Sequence, residues 1–342
     1  MPGNAIGLGS LFVEFELRTA DFNRQLSIIQ QTTTTRFGNI QGLATKAATA
    51  LTVAFGASVL GIGSAVSAAS DFEAQMNRVR AVSGAGAEDI SRLGELALQL
   101  GADTVFSARE AAQGISELVR GGVSVRDVMA GAAQATLDLA AAGEVDLATA
   151  SRITATALSL FHLRGEDVRR VVDQIAGVAN ATTTDVGEFA YAMQMGGGAA
   201  ATAGLKFEDL ALAIGVMAQN GLRGSDAGTS LKTMLLNLQP TTDRSAAAMR
   251  ELGIITETGE NRFITATGSI VSFTEMAEIL RQGTIRLTDA QRLQLLEQAF
   301  GTDAMRAAAR AAAAGAEGVD QLAAAMRDVS AASVGGQLMQ GL

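Results

Sequence analysis

Apolar residues recur along most of the chain at intervals of three and four, the period of helices that bury one face. The exception comes early. Leu11, Val13, Phe15 and Leu17 alternate with Phe12, Glu14 and Glu16 and predict one N-terminal strand with a buried side. A helix is expected next, from Asp21 as its cap to about Thr35. Residues Ala47 to Ser70 then carry no charge. As a helix this stretch would span about 36 Å, enough to cross a hydrocarbon core of about 30 Å. Of its strongly apolar residues, Leu51, Phe55, Val59, Ile62 and Val66 fall on one stripe while Val53 and Leu60 lie off it, with Gly56, Gly61 and Gly63 as small contact positions. A stripe predicts a partner helix more readily than surrounding lipid.

From Phe72 onward the helical pattern is punctuated. Gly101, Gly121, Gly143 and Gly165 each follow an apolar-periodic segment and are expected at the left-handed position that ends a helix. Ser107 with Glu110, Ser124 with Asp127, and Asp185 with Glu188 predict helix starts, each offering a side-chain acceptor to free amides. The acidic pairs Glu88/Asp89, Glu166/Asp167 and Glu208/Asp209 fall at openings too, where the helix dipole favours them without any chemistry.

The stretch MAQNGLRGSDAGTSLKTMLLNL, Met217 to Leu238, concentrates Gly221, Gly224 and Gly228. A phosphate loop needs Gly followed by Lys after a strand, and neither is present. The stretch reads as a joint: a helix ends at Asn220 and Gly221, Gly224 or Ser225 opens the next, and Ala227 and Gly228 let that helix press against another. With Arg223 and Lys232 the only cations nearby, a DNA-reading role is disfavoured. Beyond Pro240, residues 253–271 alternate around Thr258 and Gly259 and predict a small hairpin. Helices resume near Thr274. The Ala-rich end has Met305, Leu322 and Met326 as its larger anchors and is expected to pair with another chain or stay partly mobile.

The fold class is therefore predominantly α, an array of short Gly-capped helices with one strand and one hairpin. Four segments are expected: 1–46 with the strand and a helix, 47–83 as the uncharged helix, 84–240 as the helical core, and 241–342 with the hairpin and Ala-rich helices.

Composition narrows the function. Of 342 residues 48% are apolar and only 4% aromatic, with 38 Gly, so small side chains do most of the packing. Lys plus Arg number 26 against 35 Asp plus Glu, a net charge of −9 spread along the chain, which offers no nucleic-acid footprint. The absence of Cys removes thiolate chemistry, disulfides and Cys-based metal sites. His162, the single His, cannot build a two-His zinc site, and between Phe161 and Leu163 at a helix end it reads as structural. Tyr191, Met193, Met195 and Met217 read as packing residues. No G-x-S-x-G motif occurs, and no enzyme, cofactor or metal is expected. The N-terminus lacks the pattern of a secretory signal, so the chain is expected in the cytoplasm when made.

Several spaced segments carry a resemblance. ASDFEAQMNRV at 69–79, with Phe72, Glu73 and Met76, LGADTVFSAREAAQGISELVRGGVS at 100–124, with Gly101 and Thr104, and the NGLRGSDAGTSLKTMLLNL joint resemble the core of phage tail tape measure proteins. The likeness covers about residues 69–254 and continues more faintly through LLEQAFGTDAMRAA at 295–308, where Phe300 and Gly301 match a recurring FG. The resemblance implies a structural protein that acts in tail assembly and length determination inside the tail tube and is later released for DNA delivery. The implied partners are other copies of the chain, a small homo-oligomer with a trimer favoured, the tail tube and tail-tip or baseplate proteins, and tail assembly chaperones. Its place would be the host cytoplasm and then the lumen of the virion tail. The alternative is a membrane-active delivery protein whose 47–70 helix enters the host envelope during ejection.

Overall fold

In the computed structural model, residues 61–328 and Ala331 are described. The expected strand at 11–17, the helix from Asp21, and Leu51, Phe55 and Val59 of the apolar stripe lie outside the described residues. So do the side chains of Ile62 and Val66. The chain divides into two compact units, Met1–Glu73 and Ala74–Leu342.

The described residues are predominantly helical and form no sheet. The helices are α1 (Gly61–Ser83), α2 (Ala87–Asp103), α3 (Ala108–Arg120), α4 (Ala133–Ala142), α5 (Leu147–Leu160), α6 (Val168–Ala181), α7 (Val186–Thr202), α8 (Phe207–Gln219), α9 (Gly224–Leu236), α10 (Asp243–Glu251), α11 (Phe273–Thr284), α12 (Asp289–Phe300) and α13 (Ala304–Arg327). A short turn, Val125–Asp127, and a π-type turn, Val128–Ala132, lead into α4; a 3-10 turn, Gly165–Asp167, leads into α6.

The joints between α2 and α9 follow two designs. In the first, a Thr ends the helix: Thr104 Oγ1 donates to the Leu100 carbonyl at 2.7 Å and accepts from the Phe106 amide at 3.3 Å. Thr182 repeats this after α6, donating to Val178 at 2.8 Å and accepting from Thr184 at 3.3 Å. In the second design a left-handed residue is followed by an apolar residue and then by the next helix's N-cap. Gly122-Val123-Ser124, Glu144-Val145-Asp146, His162-Leu163-Arg164, Gly204-Leu205-Lys206 and Gly221-Leu222-Arg223 all have this order. In each, the amide of the apolar residue donates back to a carbonyl five positions earlier, at 2.9 to 3.1 Å, as in Val123 to Leu118 and Leu222 to Met217.

The order of joints, one Thr type followed by left-handed types, recurs, so α2–α5 and α6–α9 are successive versions of one four-helix plan. In both, the second and fourth helices meet through a glycine. A Cβ on Gly114 of α3 would lie 2.7 Å from Leu147 Cγ of α5, and one on Gly196 of α7 would lie 2.8 Å from the Gly228 carbonyl of α9.

The four glycines expected to end helices by left-handed geometry do not. Gly101 is inside α2, Gly121 and Gly143 have negative φ, and Gly165 opens the 3-10 turn. They are glycine for want of space. A Cβ would collide with the Ala108 backbone at Gly101, with Ala155 at Gly121, with Val186 at Gly143 and with Asp127 at Gly165. The left-handed turn falls on Gly122 and Glu144 beside two of them, and on His162 ahead of Gly165. The predicted caps form as expected: Ser107 accepts from the Glu110 amide while Glu110 accepts from Ser107, and Ser124 and Asp185 accept from Asp127 and Glu188.

Residues 253–271 form two tight turns in tandem where one hairpin was expected. Thr256 and Thr265 each begin a Thr-x-Thr-Gly turn, with Gly259 and Gly268 at φ +89° and +83°, and each turn is closed by one antiparallel bridge, Ile255 with Asn261 and Ile264 with Ile270.

The Ala-rich end also departs from expectation. Helix α13 neither waits for another chain nor stands apart; it is the hub of its unit, packed against α6, α8, α9, α11 and α12. Ala304, Ala307, Ala308, Ala311 and Ala312 are buried, followed by Val319, Leu322 and Met326. Small side chains let several helices approach one axis closely, so an Ala face buries area as a shared core even though it offers little to a single partner.

Candidate functional site

The NGLRGSDAGTSLKTMLLNL joint stands where three parts of the structure meet. Gly221 and Gly224 have φ of +76° and +56° and turn the chain from α8 into α9. Arg223, the N-cap of α9, reaches the preceding Thr-type joint, donating to the Thr183 carbonyl at 2.9 Å beside Glu188 at 3.6 Å. Thr183 Oγ1 in turn donates to the Ala218 carbonyl at 2.8 Å. Along α9, Gly228 faces α7 so closely that a Cβ would overlap the Ala192 carbonyl oxygen and lie 2.8 Å from Met195 Cβ. Ala227, Leu231 and Met234 are fully buried beside it.

On its other flank α9 holds the FG segment, 63 to 73 residues away in sequence. Phe300 is buried, and Gly301, at φ +87°, ends α12. Asn237 Nδ2 donates to the Phe300 carbonyl at 2.8 Å. Asp303, just after the FG, accepts from Ser230 at 3.2 Å, from Thr233 at 3.1 Å and from Arg306. Arg306 also approaches Asp226 at 3.7 Å. The bonds from Arg306, Thr233 and Ser230 together outweigh burial and hold the Asp303 carboxyl below the usual carboxylate range. Two sequence segments that look separate are one node.

The remaining singled-out residues are distributed. Phe72 and Met76 are buried on α1 and Glu73 is exposed. Gly101 and Thr104 sit at the α2–α3 joint. Met193 and Met217 are buried as expected, but Tyr191 is 61% exposed and Met195 40%, so these two are not core packing residues. Tyr191 points off α7, whose buried face is occupied by Phe189, Met193, Gly196 and Gly197, while Met195 borders the α9 seam at Gly228 through its Cβ.

The periodic pattern alone did not single out Asp138 and Glu278. Asp138 is buried on α4, where burial pushes its carboxyl up despite a 2.8 Å bond from Gln134 and Arg169 at 3.8 Å. Glu278 on α11 accepts from Arg281 at 2.7 and 2.8 Å and from the Ala316 amide at 3.2 Å, which lowers it to about 2. Each acid is set in a helix–helix contact. No His, Asp and Glu cluster suited to a metal occurs among the described residues. The node's chemistry is hydrogen bonding between helices: its hydroxyls and amides are committed to Asp303 and to backbone carbonyls.

The comparisons bear on this node. A sequence model described as phage-related minor tail protein matches residues 94–301, from within α2 to the FG glycine. The chain belongs to that family. It is 31% identical over 325 residues to the tape measure protein of Pneumococcus phage Dp-1, covering 93% of this chain and 28% of that relative. It is 26% identical over 260 residues to the probable tape measure protein of Escherichia phage P2, covering 75% of this chain and 31% of that relative. The chain thus spans less than a third of the length of either relative. No solved structure matches it. The resemblance carried by the joint and FG segments is to tape measure proteins; the matched range contains the whole joint and ends at the FG glycine, Gly301, two residues before Asp303.

Proposed function

We propose that the chain is a folded helical domain of a phage tail tape measure protein, a structural component without catalytic activity. It acts in tail assembly and length determination within the tail tube and leaves the tail during DNA delivery. The observation that carries the reading is the convergence of the joint, inside the family-matched range, with the FG segment, at which that range ends, on one hydrogen-bonded node. Such a node fixes the placement of helices, which is what a scaffold needs. Its partners are further copies of the chain, tube and tail-tip proteins, and assembly chaperones, and its place is the virion tail. Among the described residues, which begin at Gly61 and leave out most of the 47–70 stretch, no helix is long and apolar enough to cross a membrane.

The test is genetic and visual. In the phage that carries this gene, its deletion is expected to abolish tails of normal length in negative-stain electron micrographs, with restoration by the intact gene in trans. Tails of wild-type length in the deletion strain would overturn the proposal.

A further inference from the structure

Helix α13 bends at Gly315, whose φ of +60° and ψ of −170° are comfortable only for glycine. The bend divides the helix's attachments. Ahead of it, Asp303 and Arg306 tie the helix to Ser230, Thr233 and Asp226 of α9. Beyond it, Leu322 lies 2.7 Å from where a Gly215 Cβ would stand on α8, and the Met326 carbonyl 2.9 Å from a Cβ on Gly177 of α6. The Ala331 amide also donates to Asp173 of α6 at 3.0 Å.

At the bend, the Ala316 amide donates to Glu278 of α11, where a straight helix would direct it to the Ala312 carbonyl. Arg281, held by Glu278, fills the space a Gly315 side chain would take. Helix α11 thus supplies both an acceptor for the freed amide and a cover for the missing side chain.

We propose that Gly315 is a two-position joint. Bent, it folds the second half of α13 onto α6 and α8; straight, it makes Ala304–Arg327 one continuous helix about 36 Å long that carries Val319, Leu322 and Met326 away from them. The change combines rotation at Gly315, transfer of the Ala316 amide from Glu278 to the Ala312 carbonyl, and release of the packing of Val319, Leu322 and Met326. Both flanks are rich in Ala, the strongest helix former, so the backbone itself favours the straight form. Packing beyond the bend and the Glu278 acceptor hold it bent. The joint gives the domain a compact and an extended form, and it is a property of the chain independent of the tail role.

The chain has no Cys, so spin labels can be placed cleanly at the exposed positions Asn180→Cys and Ala324→Cys and their separation read by double electron–electron resonance. With the rest of the chain unchanged, a short distance is expected to dominate. Gly315→Ala bars the bent backbone, so a longer distance should become the major population while circular dichroism shows helicity kept or raised. Glu278→Ala leaves Gly315 free but removes the acceptor, and the long-distance population should grow several-fold. The proposal is overturned if folded Gly315→Ala keeps the parent distance. Should Gly315→Ala fail to fold, Glu278→Ala decides, and an unchanged short distance in that variant overturns it equally.

Discussion

Gly228→Ala adds one methyl group to the middle of α9. In an exposed helix this change stabilises, because Ala is favoured over Gly by about 1 kcal/mol. At Gly228 the new carbon would overlap the Ala192 carbonyl oxygen and sit 2.8 Å from Met195 Cβ. The Met195 side chain can turn, but a backbone carbonyl cannot, so α7 and α9 must separate by roughly 1 Å, enough to forfeit about a quarter to a half of the attraction between facing atoms. Overpacking of this kind costs about 1 to 3 kcal/mol. Set against the propensity gain, the net effect is destabilisation of up to about 2 kcal/mol. Gly198 on α7 is the control, because a Cβ there meets nothing within 4 Å. Gly198→Ala should stabilise by about 0.5 to 1 kcal/mol. Urea unfolding followed by circular dichroism compares the two midpoints with the parent chain. Opposite shifts are expected; a Gly228→Ala midpoint at or above that of the parent would refute a tight α7–α9 seam.

Asp303→Ala leaves the buried Ser230 hydroxyl without its Asp303 partner, and Thr233 with only the Thr229 carbonyl, and should lower stability by about 1 to 3 kcal/mol, whereas Asp226→Ala, on an exposed carboxylate, should stay within about 0.5 kcal/mol; urea midpoints check both. Glu278 falls to about 2 in the fold from an ordinary 4.5, so its contribution is fully present above 4.5 and is lost as pH falls toward 2. The stability difference between the parent chain and Glu278→Gln, followed across that range by thermal unfolding, should shrink accordingly, and a difference that stays flat would contradict the assignment. Asp138 has the opposite sign: burial raises it, so its charged form is a liability above the raised value and not below the ordinary 3.8. Asp138→Asn should therefore match or exceed the parent midpoint at pH 7, with the difference fading in acid.

Much of the helical array is legible in the local sequence because caps are local. Ser107 with Glu110 and Asp185 with Glu188 bond within four residues, and their chemistry is readable as spacing. The glycines were harder. A glycine demanded by a left-handed turn and one demanded by a crowded neighbour look alike in sequence, and only structure shows that Gly121 answers to Ala155 while Gly122 makes the turn. At Glu144 and His162 the turn has no glycine at all, although the apolar residue and cap that follow do mark it. The node was visible as two motifs but not as one site, since Ser230 and Asp303 are 73 residues apart and helical periodicity carries no information at that range. Helix α13 departs from its sequence pattern for a related reason: an Ala face looks weak alone and becomes a core only when several helices share it.

The claim that the node serves tail assembly is tested most directly by counting tails in electron micrographs of phage carrying Gly228→Leu or Lys232→Gln. Gly228 lies in the α7–α9 seam, and Lys232 is exposed on the same helix. Loss of tails with Gly228→Leu and normal numbers with Lys232→Gln is the predicted result. Normal tails with Gly228→Leu, and their loss with Lys232→Gln, would contradict it and point to a role for charge in place of packing.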